Sequence, residues 1–221
     1  MKKGKLIFVE GTDGSGKTTA IEFIVDKLKA LGSNLQEVNI LSGHPTSAEI
    51  RKILTNPNSE LSPNAEIALY IGAVRNTLDN VVTPLLDQGI DVICDRGPMS
   101  SFIYQCMWQR GQGNEVPASM HSEAFKDYKF DALVLVTCKP ETGLERCRSR
   151  SGFLDRLEQR GIEYFQNIVT DYRREVEIVS KEKPGCVHIV ENDGTLGELK
   201  EYCFSIAEKI LWFFNLYNYY Q

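Results

Sequence analysis

The sequence lacks the features of membrane, secreted and nucleic-acid-binding proteins. No apolar run in its 221 residues is long enough to cross a bilayer, and the Met-Lys-Lys start lacks the apolar region of a secretory signal. Its 25 lysine and arginine residues are outnumbered by 30 acidic residues, which gives a net charge of −5. General nucleic-acid binding needs a basic surface. We therefore expect a cytoplasmic protein without membrane or nucleic-acid partners.

Closely spaced cysteines are also missing. The six cysteines form no C-x-x-C pair, and Cys94, Cys138 and Cys186 lie in or beside apolar, strand-like runs. Disulfide scaffolds and zinc sites need paired or clustered cysteines, and the three histidines show no metal-ligand spacing. Buried free thiols are therefore the expectation. With no internal repeat and no low-complexity linker, the sequence predicts a single domain spanning residues 1–221.

What the sequence does contain is a complete phosphate-binding loop. It reads Gly11-Thr12-Asp13-Gly14-Ser15-Gly16-Lys17-Thr18 and fits the G-x-x-x-x-G-K-[ST] pattern of P-loop NTPases. The glycines let backbone N–H groups face an anion, and the positive end of the following helix dipole points at the same place. Lys17 is predicted to reach the β- and γ-phosphates of ATP, and the Thr18 hydroxyl to bind Mg²⁺. Thr19 completes the predicted ATP-binding segment.

Strand-like and helix-like patterns alternate along the chain. The predicted strands are 6–10, 35–41, 90–94, 132–136 and 186–190. The predicted helices run from the P-loop to about residue 31 and over 46–54, 63–87, 100–108, 140–150, 158–181 and 196–217. This order predicts a three-layer α/β protein with the P-loop NTPase fold, in which helices flank a five-stranded parallel sheet. Ligands bind beyond the carboxyl ends of such strands, so we expect Gly11, Gly43 and Asp95 to meet at one cleft.

Three stretches together resemble the thymidylate kinase family. They are the P-loop, Asp95-Arg96-x-x-x-Ser100-x-x-x-Tyr104-Gln105, and Arg146-x-Arg148-x-Arg150 before Asp155-Arg156-x-Glu158. The middle stretch matches the family's D-R-[YHF]-x-x-S-x-x-A-[YF] spacing. The resemblance implies transfer of the ATP γ-phosphoryl group to dTMP, with Mg²⁺ as cofactor. It also implies a short arginine-rich lid at about 146–158 and a homodimer.

The resemblance assigns acceptor-binding roles to the residues that match. It implies that Asp13 approaches the sugar 3′-hydroxyl and that Arg96 holds the acceptor phosphate. It places the Tyr104 ring beneath the deoxyribose and Arg75 at the base edge. Asp95 would associate with Mg²⁺ together with Thr18. The other expected acceptor contacts are Pro45, Ile71, Ser100, Ser101 and Gln105.

The expected catalytic charges are Lys17, Arg96 and one arginine of the lid. Gly14 stands where some members of the family have an arginine in the P-loop, and members without it use lid arginines. We therefore expect a lid arginine to stabilise the transition state, with Arg150 favoured over Arg148.

Two positions depart from the family's usual pattern. The position two residues before Pro45 is usually arginine and is Gly43 here, and the position four residues before Arg75 is usually phenylalanine and is Ile71 here. Both changes concern positions expected to bind the acceptor, and neither concerns a residue expected to bind ATP. They suggest that dUMP or a 5-substituted deoxyuridylate is accepted beside dTMP. His44 and Arg51 are candidates to replace the missing charge.

Other functions and plainer structural interpretations remain open at this point. A deoxynucleoside kinase needs a carboxylate base for its hydroxyl acceptor, and Glu10 is a candidate, although the Asp95-to-Tyr104 spacing speaks against it. A GTP-driven switch needs an Asn-Lys-x-Asp motif, which is absent. In structural terms, Asp95–Arg96 could be a surface ion pair, the lid arginines a solvated helix face, and Tyr104 a core residue.

Overall fold

The five predicted strands form one parallel sheet. The computed structural model describes residues 3–56, 58–107, 111, 113–151 and 161–219. Its strands are β1 (Leu6–Gly11), β2 (Leu35–Asn39), β3 (Asp91–Asp95), β4 (Ala132–Thr137) and β5 (Val187–Glu191). They pair in the order β2-β3-β1-β4-β5, and every neighbouring pair is parallel. The predicted sheet is therefore confirmed.

Helices connect the strands and cover both faces of the sheet. The longer ones are α1 (Lys17–Ala30), α2 (Pro45–Thr55), α3 (Pro63–Thr77), α6 (Val116–Phe125), α7 (Pro140–Ser151), α8 (Ile162–Glu182) and α9 (Leu196–Tyr219). Short helices α4 (Thr83–Asp87) and α5 (Pro98–Ser101) and two π-helical segments, Leu78–Val82 and Phe102–Met107, complete the described elements. Of these helices, α6 was not predicted from the sequence. None of the helices in the described ranges is long and apolar enough to span a membrane.

Alternating side chains of the strands enter two separate hydrophobic clusters. In β1, Leu6 and Phe8 join the cluster that includes residues of α3 and α8, whereas Ile7 and Val9 pack with α1 and α9. This two-residue alternation is the geometry of a strand buried on both faces. The prediction of three layers, helices on both sides of a central sheet, is confirmed.

The central position of β1 determines where the functional residues meet. Val9 pairs with Asp95 at the end of β3, and Gly11 pairs with Val136 near the end of β4. The carboxyl ends of the three central strands therefore lie side by side. All six cysteines are buried and free, which confirms the expectation of buried thiols.

Three helix predictions need correction in detail. The helix predicted over 100–108 begins at Pro98 and is π-helical over Phe102–Met107. The helical backbone predicted over 63–87 is present, but the segment Leu78–Val82 is π-helical. Pro84 has no N–H group to bond four residues back, and a widened turn directly before it accommodates this loss. The predicted 46–54 helix begins at Pro45 instead of Thr46, because the His44 Nδ1 atom accepts a hydrogen bond from the Thr46 amide (3.2 Å) and caps the helix.

Candidate active site

The P-loop connects β1 to α1 and is held by residues that are distant in sequence. Gly14 and Gly16 have positive φ angles of 73° and 86°, which glycine adopts without steric cost. The Asn192 Nδ2 atom donates to the Ser15 carbonyl oxygen (2.8 Å), and the Arg146 guanidinium donates to the carbonyl oxygens of Gly14 and Asn192. These contacts fix the loop with its N–H groups at the start of a long helix, the arrangement that binds phosphate.

Of the charged side chains of the P-loop, Lys17 is buried and Asp13 is half-buried. Burial, followed by repulsion from Arg96, lowers the pKa of Lys17 to about 8. Burial alone would raise the pKa of Asp13, but Arg96 and Lys17 together hold it below its ordinary value. A phosphate beside Lys17 would favour its charged form. The negative charge of a bound polyphosphate would therefore stabilise the ammonium group of Lys17.

Arg96 follows β3 in a strained backbone conformation. Its φ angle is 70°, which is uncommon for a residue with a side chain and is concentrated at functional sites. Its amide donates to the Val9 carbonyl oxygen (2.9 Å). Its guanidinium donates to the Gly11 carbonyl oxygen (3.0 Å) and forms an ion pair with Asp13. The Asp95–Arg96 pair is therefore no isolated surface ion pair, because Arg96 binds the P-loop.

A buried network behind Arg96 includes Glu10, Ser100 and Tyr172. The Glu10 side chain is fully buried and accepts hydrogen bonds from the Ser100 amide (3.1 Å), the Ser100 hydroxyl and the Tyr172 hydroxyl (3.2 Å). The Arg96 guanidinium also donates to the Ser100 hydroxyl (3.1 Å). Burial raises the pKa of Glu10 to about 7 in spite of these bonds. Through Ser100 the network holds the Arg96 guanidinium in position.

A polar cleft beside the P-loop has a ligand set suited to a hard cation. Its lining includes Lys17, Thr18, Asp95 and Arg150. The Asp95 Oδ2 atom accepts from the Asn39 amide (2.9 Å), whereas its buried Oδ1 atom has no hydrogen-bond partner within the described part of the chain. A carboxylate oxygen and a hydroxyl are the ligand types that Mg²⁺ prefers, so these residues fit the metal that the resemblance implies.

A second pocket adjoins the cleft through shared residues. Of the residues predicted to bind the acceptor, six line it, namely Asp13, Arg96, Ser100, Ser101, Tyr104 and Gln105. The Tyr104 hydroxyl donates to the Asp13 carboxylate (3.2 Å), and the Arg96 guanidinium lies over the Tyr104 ring, 5.2 Å from its centre. Tyr104 is thus buried but also forms a pocket wall.

The structure places three predicted acceptor contacts outside this pocket. Pro45 is the first residue of α2, and Ile71 packs against the hydrophobic core. The Arg75 guanidinium forms ion pairs with Asp79 and Asp127. None of the three belongs to the described pocket lining.

Gly43 and His44 are also explained by local structure. A side chain at Gly43 would begin 2.7 Å from both the Asn39 carbonyl oxygen and Val38 Cγ1. Close packing around this position therefore accounts for the glycine. His44 caps α2 and does not line the pocket, whereas Arg51 lines both the pocket and the cleft.

The lid arginines separate into different positions. Both Arg148 and Arg150 are exposed, but only Arg150 is among the residues that line the polar cleft with Lys17. Arg146 binds the P-loop, as described above. The second half of the predicted lid, with Asp155, Arg156 and Glu158, lies outside the described residues.

Several residues at the site were missed from the sequence. Tyr70, one residue before the expected Ile71, lines the acceptor pocket. Asn39 orients Asp95, Asn192 holds the P-loop, and Tyr172 binds Glu10. Asn39 and Asn192 each lie at or just beyond the end of a strand. This position is the sequence feature that could have indicated their place at the site.

Comparisons with known proteins point to one family. A family model described as Thymidylate kinase matches residues 9–189. A thymidylate kinase of Hahella chejuensis is 33% identical over 181 residues, covering 80% of this chain and 84% of that protein. One of Caldicellulosiruptor saccharolyticus is 32% identical over 210 residues, with coverage of 95% and 98%. One of Halalkalibacterium halodurans is 34% identical over 179 residues, with coverage of 80% and 85%.

Proposed function

The chain belongs to the thymidylate kinase family, and on this basis we propose that it transfers the γ-phosphoryl group of ATP to dTMP, giving ADP and dTDP. The observation that carries the proposal is the ion pair between Arg96 and Asp13. It lies where the P-loop cleft and the acceptor pocket meet, and both residues line both spaces. An acceptor phosphate bound there is next to the donor phosphates.

Catalysis in this arrangement depends on position and charge. The acceptor phosphate is already an anion, so the reaction needs no strong general base. Lys17 supplies positive charge to the transferring group, and Arg96 binds the acceptor phosphate in line with it. Arg150, which lines the same cleft, supplies further charge as the phosphoryl group moves.

Thr18 and Asp95 would hold Mg²⁺. When bound, the metal neutralises phosphate charge and orients the β- and γ-phosphates. Asn39 keeps one oxygen of Asp95 occupied and leaves the other available.

Acceptor recognition is assigned to the second pocket. Asp13 would accept a hydrogen bond from the 3′-hydroxyl, and Tyr104 would pack against the deoxyribose. dUMP differs from dTMP by one methyl group, and a methyl group in an apolar pocket gives only about 10- to 200-fold discrimination. We therefore include dUMP among the acceptors. Arg51 lines the pocket and is the residue placed to replace the charge missing at Gly43.

The alternative of a deoxynucleoside kinase loses its main support. It depended on Glu10 as a base, but Glu10 is fully buried, is bound to Ser100 and Tyr172, and is not part of the pocket lining. No observation favours a hydroxyl acceptor over a phosphate acceptor.

A coupled assay of ADP release tests the proposal with dTMP, thymidine or no acceptor. We expect ADP release that depends on dTMP and on Mg²⁺. Release with thymidine but not dTMP would instead identify a deoxynucleoside kinase, and release without any acceptor would identify an ATPase.

The proposed homodimer is measured separately by light scattering, as a particle twice the 25.0 kDa chain mass.

A further inference from the structure

Asn192 is the first residue after β5 and lies buried against the P-loop. It is 7% exposed, and its backbone amide donates to the Thr137 carbonyl oxygen at the end of β4 (2.7 Å). Its side-chain Nδ2 atom donates to the Ser15 carbonyl oxygen (2.8 Å), and its own carbonyl oxygen accepts from the Arg146 guanidinium (3.0 Å). Asn192 therefore joins the end of the sheet to both the P-loop and α7.

The hydrogen bond from the Asn192 side chain fixes the orientation of one peptide unit of the P-loop. A trans peptide is planar, so its C=O and N–H groups point in opposite directions. With the Ser15 carbonyl oxygen bound to Asn192, the N–H group of Gly16 points to the other side of the loop. Backbone N–H groups at the start of a long helix form the anion-binding surface of such a loop. The contact therefore determines which way one of these N–H groups faces.

The P-loop packs closely against both Asn192 and α7. A side chain at Gly16 would begin 2.3 Å from the Asn192 Nδ2 atom, and one at Gly14 would begin 2.1 Å from the Gly143 carbonyl oxygen of α7. Contacts this close leave the loop little freedom to move before a ligand binds. A binding loop that is already ordered loses less conformational entropy on binding, so preorganisation raises its affinity for phosphate.

We propose that Asn192 is a positioning residue for phosphoryl transfer, which holds the Ser15–Gly16 peptide in the orientation that binds the donor phosphates. The side chain is not among the described lining residues of the cleft or of the acceptor pocket, so it acts through the P-loop. Without its amide the Ser15 carbonyl oxygen is released, and the peptide can rotate its N–H group away from the phosphates. This inference deepens the proposed function and rests on it.

The test uses two variants of Asn192 and a phosphate ligand that has no base. Asn192→Ala removes the donor, and the isosteric Asn192→Asp replaces it with an oxygen that repels the Ser15 carbonyl oxygen. Both variants keep the backbone bonds to Thr137 and Arg146, so they change the side-chain contact alone.

Two measurements follow the effect of these variants. Isothermal titration calorimetry gives the Kd of tripolyphosphate in the presence of Mg²⁺, and steady-state kinetics give the KM for ATP and for dTMP. A hydrogen bond to a charged group is worth roughly 10- to 100-fold in affinity, so we expect the tripolyphosphate Kd and the ATP KM to rise at least about tenfold in both variants. The KM for dTMP should stay unchanged.

Thr195→Ala is the matched control, because Thr195 lies in the same connection between β5 and α9. Its hydroxyl accepts from the Glu198 amide (3.3 Å), and its own amide donates to the Glu198 carboxylate (2.7 Å), which caps α9. Loss of this cap should lower the urea midpoint of unfolding. It should leave tripolyphosphate binding and the KM for ATP unchanged, which separates a general loss of stability from a loss of loop orientation.

Unchanged tripolyphosphate binding in a folded Asn192→Ala enzyme would overturn the inference, and a raised KM for ATP alone would then indicate a direct contact with the base. Equal increases in the KM for ATP and for dTMP, or unfolding of both Asn192 variants, would also overturn it, because Asn192 would then support the whole site or the whole fold. A wild-type enzyme that does not phosphorylate dTMP refutes the proposed function. The calorimetric measurement needs no acceptor and tests the role of Asn192 separately.

Discussion

The Tyr172 hydroxyl lies 2.8 Å from the Ser100 hydroxyl, although the two residues are 72 positions apart in the sequence. Through Ser100 it supports Arg96, and it also donates to Glu10. Tyr172 comes from the middle of α8, so a helix outside the acceptor pocket contributes to the position of the arginine proposed to bind the acceptor phosphate.

Tyr172→Phe should weaken acceptor use more than ATP use. The variant keeps the ring contact with Tyr104 but leaves Ser100 and Glu10 with one partner fewer. We expect kcat/KM for dTMP to fall about tenfold because a misplaced arginine aligns the phosphate less well. The KM for ATP should stay unchanged. Steady-state kinetics measure both, with Tyr202→Phe on the exposed surface of α9 as the control. Equal losses for both substrates would indicate a purely structural role.

Glu10 should make stability depend on pH in a specific direction. Burial raises its pKa from the ordinary value of 4.5 to about 7, so the folded protein binds a proton that the unfolded chain loses. This stabilisation is fully present below pH 4.5, declines as the pH rises, and is lost above about pH 7. It amounts to roughly 3 kcal/mol at most.

Urea unfolding of the wild type and Glu10→Gln at pH 5 and pH 8 measures this contribution. The wild type should lose more unfolding free energy than the variant between the two values, because glutamine does not titrate. The comparison cancels the contributions of the other groups. Parallel changes in both proteins would show that Glu10 does not titrate in this range.

Lys17→Ala should nearly abolish turnover without unfolding the protein. The buried lysine faces the cleft proposed for the donor phosphates and has no substitute at that position. The matched control is Lys29→Ala, an exposed lysine on the same helix, which should keep wild-type rates. Circular dichroism establishes that both variants are folded. A folded Lys17→Ala enzyme with normal turnover would contradict the assigned role of the P-loop.

Arg150→Ala and Arg148→Ala should behave differently. Arg150 lines the cleft with Lys17, and Arg148 is not among the residues of its described lining. An arginine that stabilises phosphoryl transfer is worth about 10³- to 10⁵-fold in rate. We expect a loss of this size in kcat for Arg150→Ala, with little change in ATP affinity, and a change of less than about threefold for Arg148→Ala. Two small effects would indicate an ordinary solvated helix face.

Tyr104→Ala should relax discrimination against ribonucleotides. The ring lines the acceptor pocket, and its hydroxyl donates to the Asp13 carboxylate. A 2′-hydroxyl buried beside it without a partner costs about 1–3 kcal/mol, or roughly 5- to 150-fold in kcat/KM. The measured quantity is the dUMP-to-UMP ratio in the wild type, Tyr104→Ala and Tyr104→Phe. The phenylalanine variant retains the ring and should retain the discrimination, and an unchanged ratio in the alanine variant would make Tyr104 a core residue only.

The sequence was most informative where function depends on short contiguous stretches. The P-loop and Asp95–Arg96 each follow an apolar strand, and parallel strands bring their carboxyl ends together. This rule led us to expect Gly11, Gly43 and Asp95 at one cleft, and Asp95 lines a cleft together with Lys17 and Arg96, whereas Gly11 and Gly43 are not among its described lining residues. The alternation of strands and helices likewise predicted the sheet, because each buried strand is marked by its own composition.

Positions on α3 were harder to predict because spacing does not determine helix rotation. Neighbouring residues on a helix point about 100° apart, so an error of one position changes which side chain faces the pocket. Tyr70 lines the pocket, although Ile71 was the residue expected there. The contacts of Arg75 could not be predicted for a different reason. Its partner Asp127 lies 52 residues away in the sequence. A local sequence pattern does not predict an ion pair between residues so far apart.

The central position of β1 also has a consequence for the order in which the protein is made. Its partners on β3 and β4 begin pairing at Val92 and Ala132, more than 80 residues after the strand itself has been synthesised. Closing such long loops costs chain entropy before the paired strands repay it, and non-local topologies of this kind fold slowly. A nascent chain that stops before residue 132 therefore presents β1, and the phosphate loop attached to it, with one edge unpaired.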